Sequence, residues 1–329
     1  MAVDGNLSER TLTAVVRFCN ERAIPGECVH MGLSSDSSDT LGPCSVLVSG
    51  VLSVICTSLL TGYSEPTSVA KSTRILPSIA ASNTGHAPIA FASPNLLELR
   101  HMYHTAGESP LELTQSTSWW TAVDNFNLGS EFRMDLERLS RRDASDSDSS
   151  KGTLSFLLDQ GIAQMAIHLL PFIQHIVIKC GDLGVVVVFR LPPDQSGWAS
   201  ESSNIYARQV VALGQDGGKL VVKHFPALSL AAEDIVNVTG AGDSLVGSVL
   251  STLLQTPQAF DNPTTLSAMI EEAQEVRCNY TCRYRTYSYG GILGRNQYIE
   301  ESTGSIAVIV PRKAAKVALS VIPQTAVQL

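Results

Sequence analysis

The chain has 329 residues; 44% are of the AVILMFWYC set and only 16% are charged, against about 25% charged in an ordinary soluble domain. That composition excludes a mostly disordered chain, which is poor in apolar residues and rich in charge. A net charge of −8 argues against nucleic acid as a partner, because a general binder carries a basic footprint, and the 7 cysteines read as reduced thiols of a cytoplasmic protein rather than a disulfide scaffold.

Met1-Ala2-Val3-Asp4 reads as the end of a buried strand that runs into a turn at Gly5-Asn6. It has neither the basic nor the long apolar region of a secretory signal. A fold seldom begins with a strand nearly over, so the expectation is that upstream sequence is missing. Ser8 suits a helix N-cap, where its hydroxyl accepts a bond from an orphan backbone N–H. Leu12, Val15, Val16 and Cys19 then fall on one helical stripe. Ile24-Pro25 opens the next element, which completes strand–helix–strand, the unit of a parallel α/β sheet.

From Gly26 to Tyr63 the chain carries no Lys or Arg. The charge-free window 41–63 reaches the roughly 20 residues that a membrane span needs. Its Ser and Thr residues, internal glycines and lack of basic or Trp anchors weigh against a span, and no membrane is expected as a partner. After Ser64-Glu65-Pro66-Thr67-Ser68 a globular pattern resumes. Pro88–Ala92 is a short apolar strand, and Ser93-Pro94 turns it into a helix with Leu96, Leu97, Leu99 and Met102 on its face. Residues 141–152 read as a flexible polar linker. Its Arg141-Arg142-x-x-Ser145 has the form of a phosphorylation site, but a solvated loop between helices is the preferred reading. Phe156 to Leu170 reads as one helix. His175–Lys179, Val185–Phe189 and Leu220–Phe225 read as strands, and their continuous apolar runs predict a sheet buried on both faces.

The residues that carry chemistry are concentrated in Asn237-Val238-Thr239-Gly240-Ala241-Gly242-Asp243-Ser244. The small residues let backbone approach a ligand, and Leu245, Val249 and Leu253 then share a helical face. N–H groups at a helix N-terminus attract anions. An Asp there disfavours phosphate, but it is suited to taking a proton from a hydroxyl that attacks one. Taken alone, the stretch reads first as a glycine loop with an Asp helix cap.

The stretch resembles the second signature of the PfkB/ribokinase family of carbohydrate and nucleoside kinases. By that resemblance Asp243 is the catalytic base, and Gly240, Ala241 and Gly242 form the anion hole. Ser248 departs from the Gly or Ala usual in the family. Asn95-Leu96-Leu97-Glu98 resembles the family's Asn-x-x-Glu motif, which organises Mg²⁺ and phosphates largely through water, as suits an ion that keeps several waters. Read by itself, the same tetrapeptide is a helix start with a Glu in its first turn. Lys179-Cys180-Gly181-Asp182-Leu183-Gly184 resembles the family's turn near the ATP phosphates and ribose, with Lys179, Gly181 and Gly184 as its nucleotide-side residues; in isolation it is a hairpin turn. The motifs come in the family's order. Asp4–Ser8, Glu65–Ser68 and the segment from Gln164 to Lys179 further resemble fungal-type pseudouridine kinases, which are often fused to a pseudouridine-5′-phosphate glycosidase.

The resemblance implies a ribokinase-like three-layer α/β/α sandwich with a mostly parallel sheet, and a kinase that uses ATP, Mg²⁺ and a monovalent cation such as K⁺ on a small sugar or nucleoside. It also implies that the family's first strands, its sugar grip and its lid are missing here. Little turnover is then expected of these 329 residues, and a homodimer only if the lid were present. Two spans do not match the family, 26–63 and 276–312. Both read as translated introns; Cys278 and Cys282 in the second have no nearby ligand pair, so zinc is not expected. Alternatives are another ribokinase-like sugar kinase and a non-catalytic truncated fragment.

Overall fold

The computed structural model describes residues 2–4, 62–65, 68–81, 87–193, 195, 197–198, 203–230 and 240–281. The chain divides into two compact units, Met1–Ala227 and Leu228–Leu329. The helix expected after Ser8, the Ile24-Pro25 element, almost all of span 26–63 and everything beyond Thr281 lie outside the described residues.

The first unit is built on a 7-stranded sheet. Its strands are β1 (Ala2–Asp4), β2 (Gly62–Glu65), β3 (Ile89–Ala92), β4 (Ile173–Lys179), β5 (Val185–Leu191), β6 (Gln209–Leu213) and β7 (Lys219–Phe225), and they lie in the order β1-β2-β3-β4-β5-β7-β6. β1 to β4 run parallel, whereas the pairs β4/β5, β5/β7 and β6/β7 are antiparallel. The fold is therefore α/β as expected, but with a mixed sheet rather than a mostly parallel one. In the antiparallel half, β4/β5 and β6/β7 are joined by short connections. Only residues 180–184 separate β4 from β5, and a connection that short can join only antiparallel strands.

β5 has Val185, Val186, Val187, Val188 and Phe189 all fully buried, as a strand between two neighbours with both faces covered must be. One face packs under α3 (Leu96–Gly107), α5 (Ser130–Ser140) and α7 (Ile162–Leu169), through Ile176, Ile178, Val186, Val188 and Val222. On the other face Phe91, His175 and Phe189 stack across three adjacent strands, at centroid separations of 4.5 and 5.9 Å. The shorter helices α1 (Val69–Ser72), α2 (Leu76–Ala81), α4 (Thr117–Asp124) and α6 (Phe156–Asp159) complete the unit.

Several expectations need correction. The span expected to be an insert at 26–63 ends inside β2, where Tyr63 pairs with Ala2 on one side and Phe91 on the other. The single helix expected over Phe156–Leu170 is two helices, because Gly161 adopts φ 66° and starts α7 anew. Leu97, placed on the apolar face of α3, is 62% exposed; the buried face carries Glu98, Leu99, Met102 and Ala106 instead. Residues 141–152 are not a structureless tether. Ala144 N donates to Gly152 O at 2.8 Å and Leu154 N to Arg142 O at 2.8 Å, which closes the segment into a loop. Ser145 is buried inside it, bonded to Ser147, so the phosphorylation reading loses its exposed hydroxyl. β6 was not anticipated: Gln209-Val210-Val211-Ala212-Leu213 is short and starts with a polar residue.

The second unit is described as two helices, α8 (Ala241–Gln255) and α9 (Pro263–Thr281), packed against each other. Leu245, Val249 and Leu253 of α8 are buried, as their spacing predicted, together with Leu266, Met269, Ile270 and Ala273 of α9. Asn262 starts α9 by accepting from Thr264 N at 2.8 Å. The helix continues past Val276 to Thr281, so the start of the second span expected to be an insert is helical. No helix among the described residues is long and apolar enough to cross a membrane.

Candidate functional site

The residues singled out by the sequence fall into both units. In the first, they gather at the C-terminal ends of β3 and β4. Asn95 follows β3 and forms an isolated parallel bridge with Lys179, the last residue of β4. Lys179 N donates to Pro94 O at 2.9 Å, which ties the two strand ends together. Asn95, Glu98, Lys179, Gly181 and Gly184 thus belong to one neighbourhood of loops beyond strand ends, the usual ligand position in open α/β sheets.

Asn95 is the N-cap of α3. Its Oδ1 accepts from Leu97 N at 2.9 Å and Glu98 N at 3.0 Å, while Glu98 Oε2 accepts from Asn95 N at 2.8 Å. This is a closed capping box, two orphan donors satisfied reciprocally. Glu98 is 3% exposed. The plain helix-start reading of this tetrapeptide is thus fully realised. One carboxylate and one amide do not make a cage, and among the described residues no group of three or more His, Cys, Asp or Glu could hold a metal ion. The donor set fits only a Mg²⁺ that arrives with phosphates and keeps its own water. Just before this motif, Ser93 Oγ is buried without a hydrogen-bond partner.

The Gly181–Gly184 turn closes on itself. Cys180 N donates to Gly184 O at 2.9 Å, and Gly184 N to Gly181 O at 3.3 Å. Gly184 needs to be glycine on two counts. Its φ is 95°, and a Cβ there would lie 2.1 Å from Phe225 O and 2.6 Å from Ala227 N. Gly181 and Asp182 are exposed and Lys179 half-buried.

Two residues that no motif marks brace this turn. His224, at the end of β7, contacts Leu183 O through Nε2 at 2.7 Å and Arg208 through Nδ1 at 3.4 Å. Burial pushes its pKa down to about 4. Arg208 also donates to Asp143 O at 2.7 Å and to Asp146 at 2.5 Å, and its guanidinium holds the Asp146 carboxyl below the usual carboxylate range. The alternation of β7 places His224 on an inward face, but nothing in the sequence pairs it with Arg208.

In the second unit, Gly240 is the N-cap of α8, at φ 79° and ψ −3°. That left-handed conformation favours glycine. A glycine at this position brings no capping side chain of its own. Asp243 sits in the first turn and is exposed, Ala241 is buried and Gly242 half-buried. The Gly-Ala-Gly run therefore opens a helix whose N-cap residue has no side chain and whose first turn carries an exposed carboxylate.

No family model matches the chain. The chain is similar to the pseudouridine-metabolizing bifunctional protein of Schizosaccharomyces pombe, 27% identical over 189 residues, covering 57% of this chain and 22% of that protein. The chain thus spans about a fifth of the relative's length, and the similarity bears out the resemblance carried by the sequence motifs. Among solved structures, adenosine kinase from Schistosoma mansoni in complex with 2-fluoroadenosine aligns over 70% of this chain and 46% of that one, with 12% identity and a TM-score of 0.31.

Proposed function

We propose that the chain serves an ATP- and Mg²⁺-dependent kinase of the ribokinase type that phosphorylates the 5′-hydroxyl of pseudouridine or a related nucleoside or sugar. The observation that carries this reading is the helix start at Gly240–Asp243, with a glycine N-cap and an exposed carboxylate in the first turn, in a chain similar to a pseudouridine-metabolizing protein. Asp243 takes the proton of the attacking hydroxyl. The backbone N–H groups of Gly240, Ala241 and Gly242 face the charge that develops on the transferring phosphoryl group, where preorganised donors act most strongly. Lys179, Gly181 and Gly184 line the nucleotide side, and Asn95 and Glu98 order water on a phosphate-bound Mg²⁺. A monovalent cation such as K⁺ belongs to the same proposal, as does a cytoplasmic location.

The test separates nucleotide from acceptor. The chain alone is titrated with MgATP. Phosphoryl transfer to pseudouridine, uridine and ribose is then measured after extending the chain at its N-terminus with the matching segment of the fission-yeast relative. MgATP binding, preference for pseudouridine, and a loss of about 10²–10⁴-fold in turnover for Asp243→Asn support the reading. Full turnover in Asp243→Asn removes it.

A further inference from the structure

The turn at Gly181–Gly184 is exposed at its tip, yet its position is dictated from beneath by groups that belong to no recognised motif. Three contacts define the arrangement. Gly184 lies against the backbone of Phe225, Pro226 and Ala227 too closely for any side chain. His224, one residue earlier in the same strand end, meets the Leu183 carbonyl at 2.7 Å. Arg208 reaches the other ring nitrogen of His224 at 3.4 Å.

The chemistry of these groups fixes the proton. A guanidinium has only donors, so Nδ1 of His224 is the acceptor in its contact with Arg208. The imidazole is neutral and its hydrogen sits on Nε2, which donates to Leu183 O. Arg208 is itself strongly held. It is 4% exposed, adopts φ 53° in the left-handed region, and binds the 141–152 loop through Asp143 O and Asp146. A non-glycine residue in that conformation persists only where its surroundings over-determine it, and such residues gather near functional sites.

We infer that His224 and Arg208 are positioning residues of the nucleotide half of the site: Arg208 selects the Nε2–H form of His224, and that N–H fixes the Leu183 carbonyl and with it the Gly181–Gly184 turn. The inference rests on the reading of this turn as a nucleotide element. It adds that a loop remote in sequence, 141–152, sets the geometry of that element through two side chains. Neither residue touches the nucleotide; both act through the turn.

The test is a pair of substitutions at one position. His224→Gln keeps a side-chain N–H able to reach Leu183 O. His224→Asn offers Arg208 a partner but is too short to reach the turn. Two quantities are read in each: hydrogen exchange of the peptide containing 180–185, with the β5 peptide as a folding control, and MgATP affinity by titration. The expected result is exchange faster by about 3- to 10-fold and affinity weaker by a similar factor in His224→Asn, the span of one lost hydrogen bond, with both restored in His224→Gln. Unchanged turn exchange in His224→Asn overturns the inference whatever ATP does. Faster exchange with unchanged MgATP affinity also overturns it, because the turn would then be braced without mattering to nucleotide. Failure of the unsubstituted chain to bind MgATP defeats the kinase reading itself, and the inference falls with it; the two failures are distinguishable because the first leaves wild-type binding intact. Should the β5 control show that His224→Asn unfolds, Arg208→Met is read in the same way, since it keeps the bulk of the side chain and removes every donor to His224 Nδ1.

Discussion

Two helix starts bear the chemistry proposed for this chain, and they are built in opposite ways. At α3 the first-turn donors are consumed from within: Asn95 and Glu98 bond reciprocally, and Glu98 is 3% exposed. At α8 the chain enters through Gly240 at φ 79°, a residue with no side chain to fold back, and Asp243 stands exposed. A closed box stabilises the protein whether or not a ligand exists. A glycine N-cap leaves first-turn donors that its own residue does not satisfy. The same residue classes, a small polar or glycine residue followed three positions on by an acid, therefore signal structure in one place and point to chemistry in the other.

The largest expected effect follows from this contrast. Asp243→Asn lowers phosphoryl transfer by about 10²–10⁴-fold, equivalent to roughly 3–5 kcal/mol of barrier, while thermal unfolding of the variant stays close to that of the parent. An Asp243→Asn variant that melts early would place Asp243 with Asn95 as a structural cap and erase the difference between the two starts.

Next in size is Gly184→Ala, which probes what supports the α3 neighbourhood. The new Cβ meets Phe225 O at 2.1 Å and sits at φ 95°. Left-handed strain and overpacking together cost on the order of 3 kcal/mol, read as a lowered denaturant midpoint. Gly181→Ala, at φ 66° with nothing within 4 Å, pays only the conformational part and is expected to lose about 1 kcal/mol.

Acid separates the two units. Burial lowers the pKa of both His175 and His224 to about 4, from a usual value of 6.5. A histidine that is neutral when folded and charged when unfolded binds more protons in the unfolded chain, so stability rises with pH. The contribution is intact above pH 6.5 and is lost progressively as the pH falls toward 4. Between pH 7 and 5 each group costs about 2 kcal/mol. Residues 240–281 contain no histidine, so acid should release hydrogen-exchange protection from β4 and β7 before α8. Loss in the reverse order would refute the assignment. His175→Phe, which preserves the ring stack with Phe91 and Phe189, is expected to flatten the acid slope.

How much of this was legible in the sequence depends on whether the cause was local. The β3, β4, β5 and β7 strands were readable because each holds a run of consecutive apolar residues, and the buried face of α8 because Leu245, Val249 and Leu253 recur at helical spacing. Asn95 and Gly240 were legible as helix starts from residue type alone. The break at Gly161 was missed because apolar periodicity continues through it. The mixed sheet and β6 were missed because strand direction is set by connection length and partner, not by the strand's own residues. The ordered loop at 141–152 was missed because what orders it is Arg208, more than fifty residues away. Polar composition identifies a surface segment, but it does not reveal a buried guanidinium that pins it.

The smallest effects test the closed start directly. Asn95→Ala removes the acceptor of two first-turn N–H groups and is expected to cost about 1 kcal/mol, as the loss of an N-cap usually does. Glu98→Gln is the sharper probe, because Gln also serves at the third position of a capping box. It keeps the bond to Asn95 N and deletes the charge. If Glu98 is only a cap, Glu98→Gln changes unfolding by a few tenths of a kcal/mol and leaves the Mg²⁺ dependence of nucleotide binding alone. If Glu98 also orders water on a phosphate-bound Mg²⁺, stability is equally unmoved, but the Mg²⁺ concentration needed for half-maximal ATP binding rises. The charge acts through that water, so the shift should be modest, on the order of a hydrogen bond's worth, about 3- to 10-fold. Asn95→Ala and Glu98→Gln read side by side thus divide cap from metal: the first moves stability, and the second moves Mg²⁺ dependence alone only if the closed box serves the metal as well.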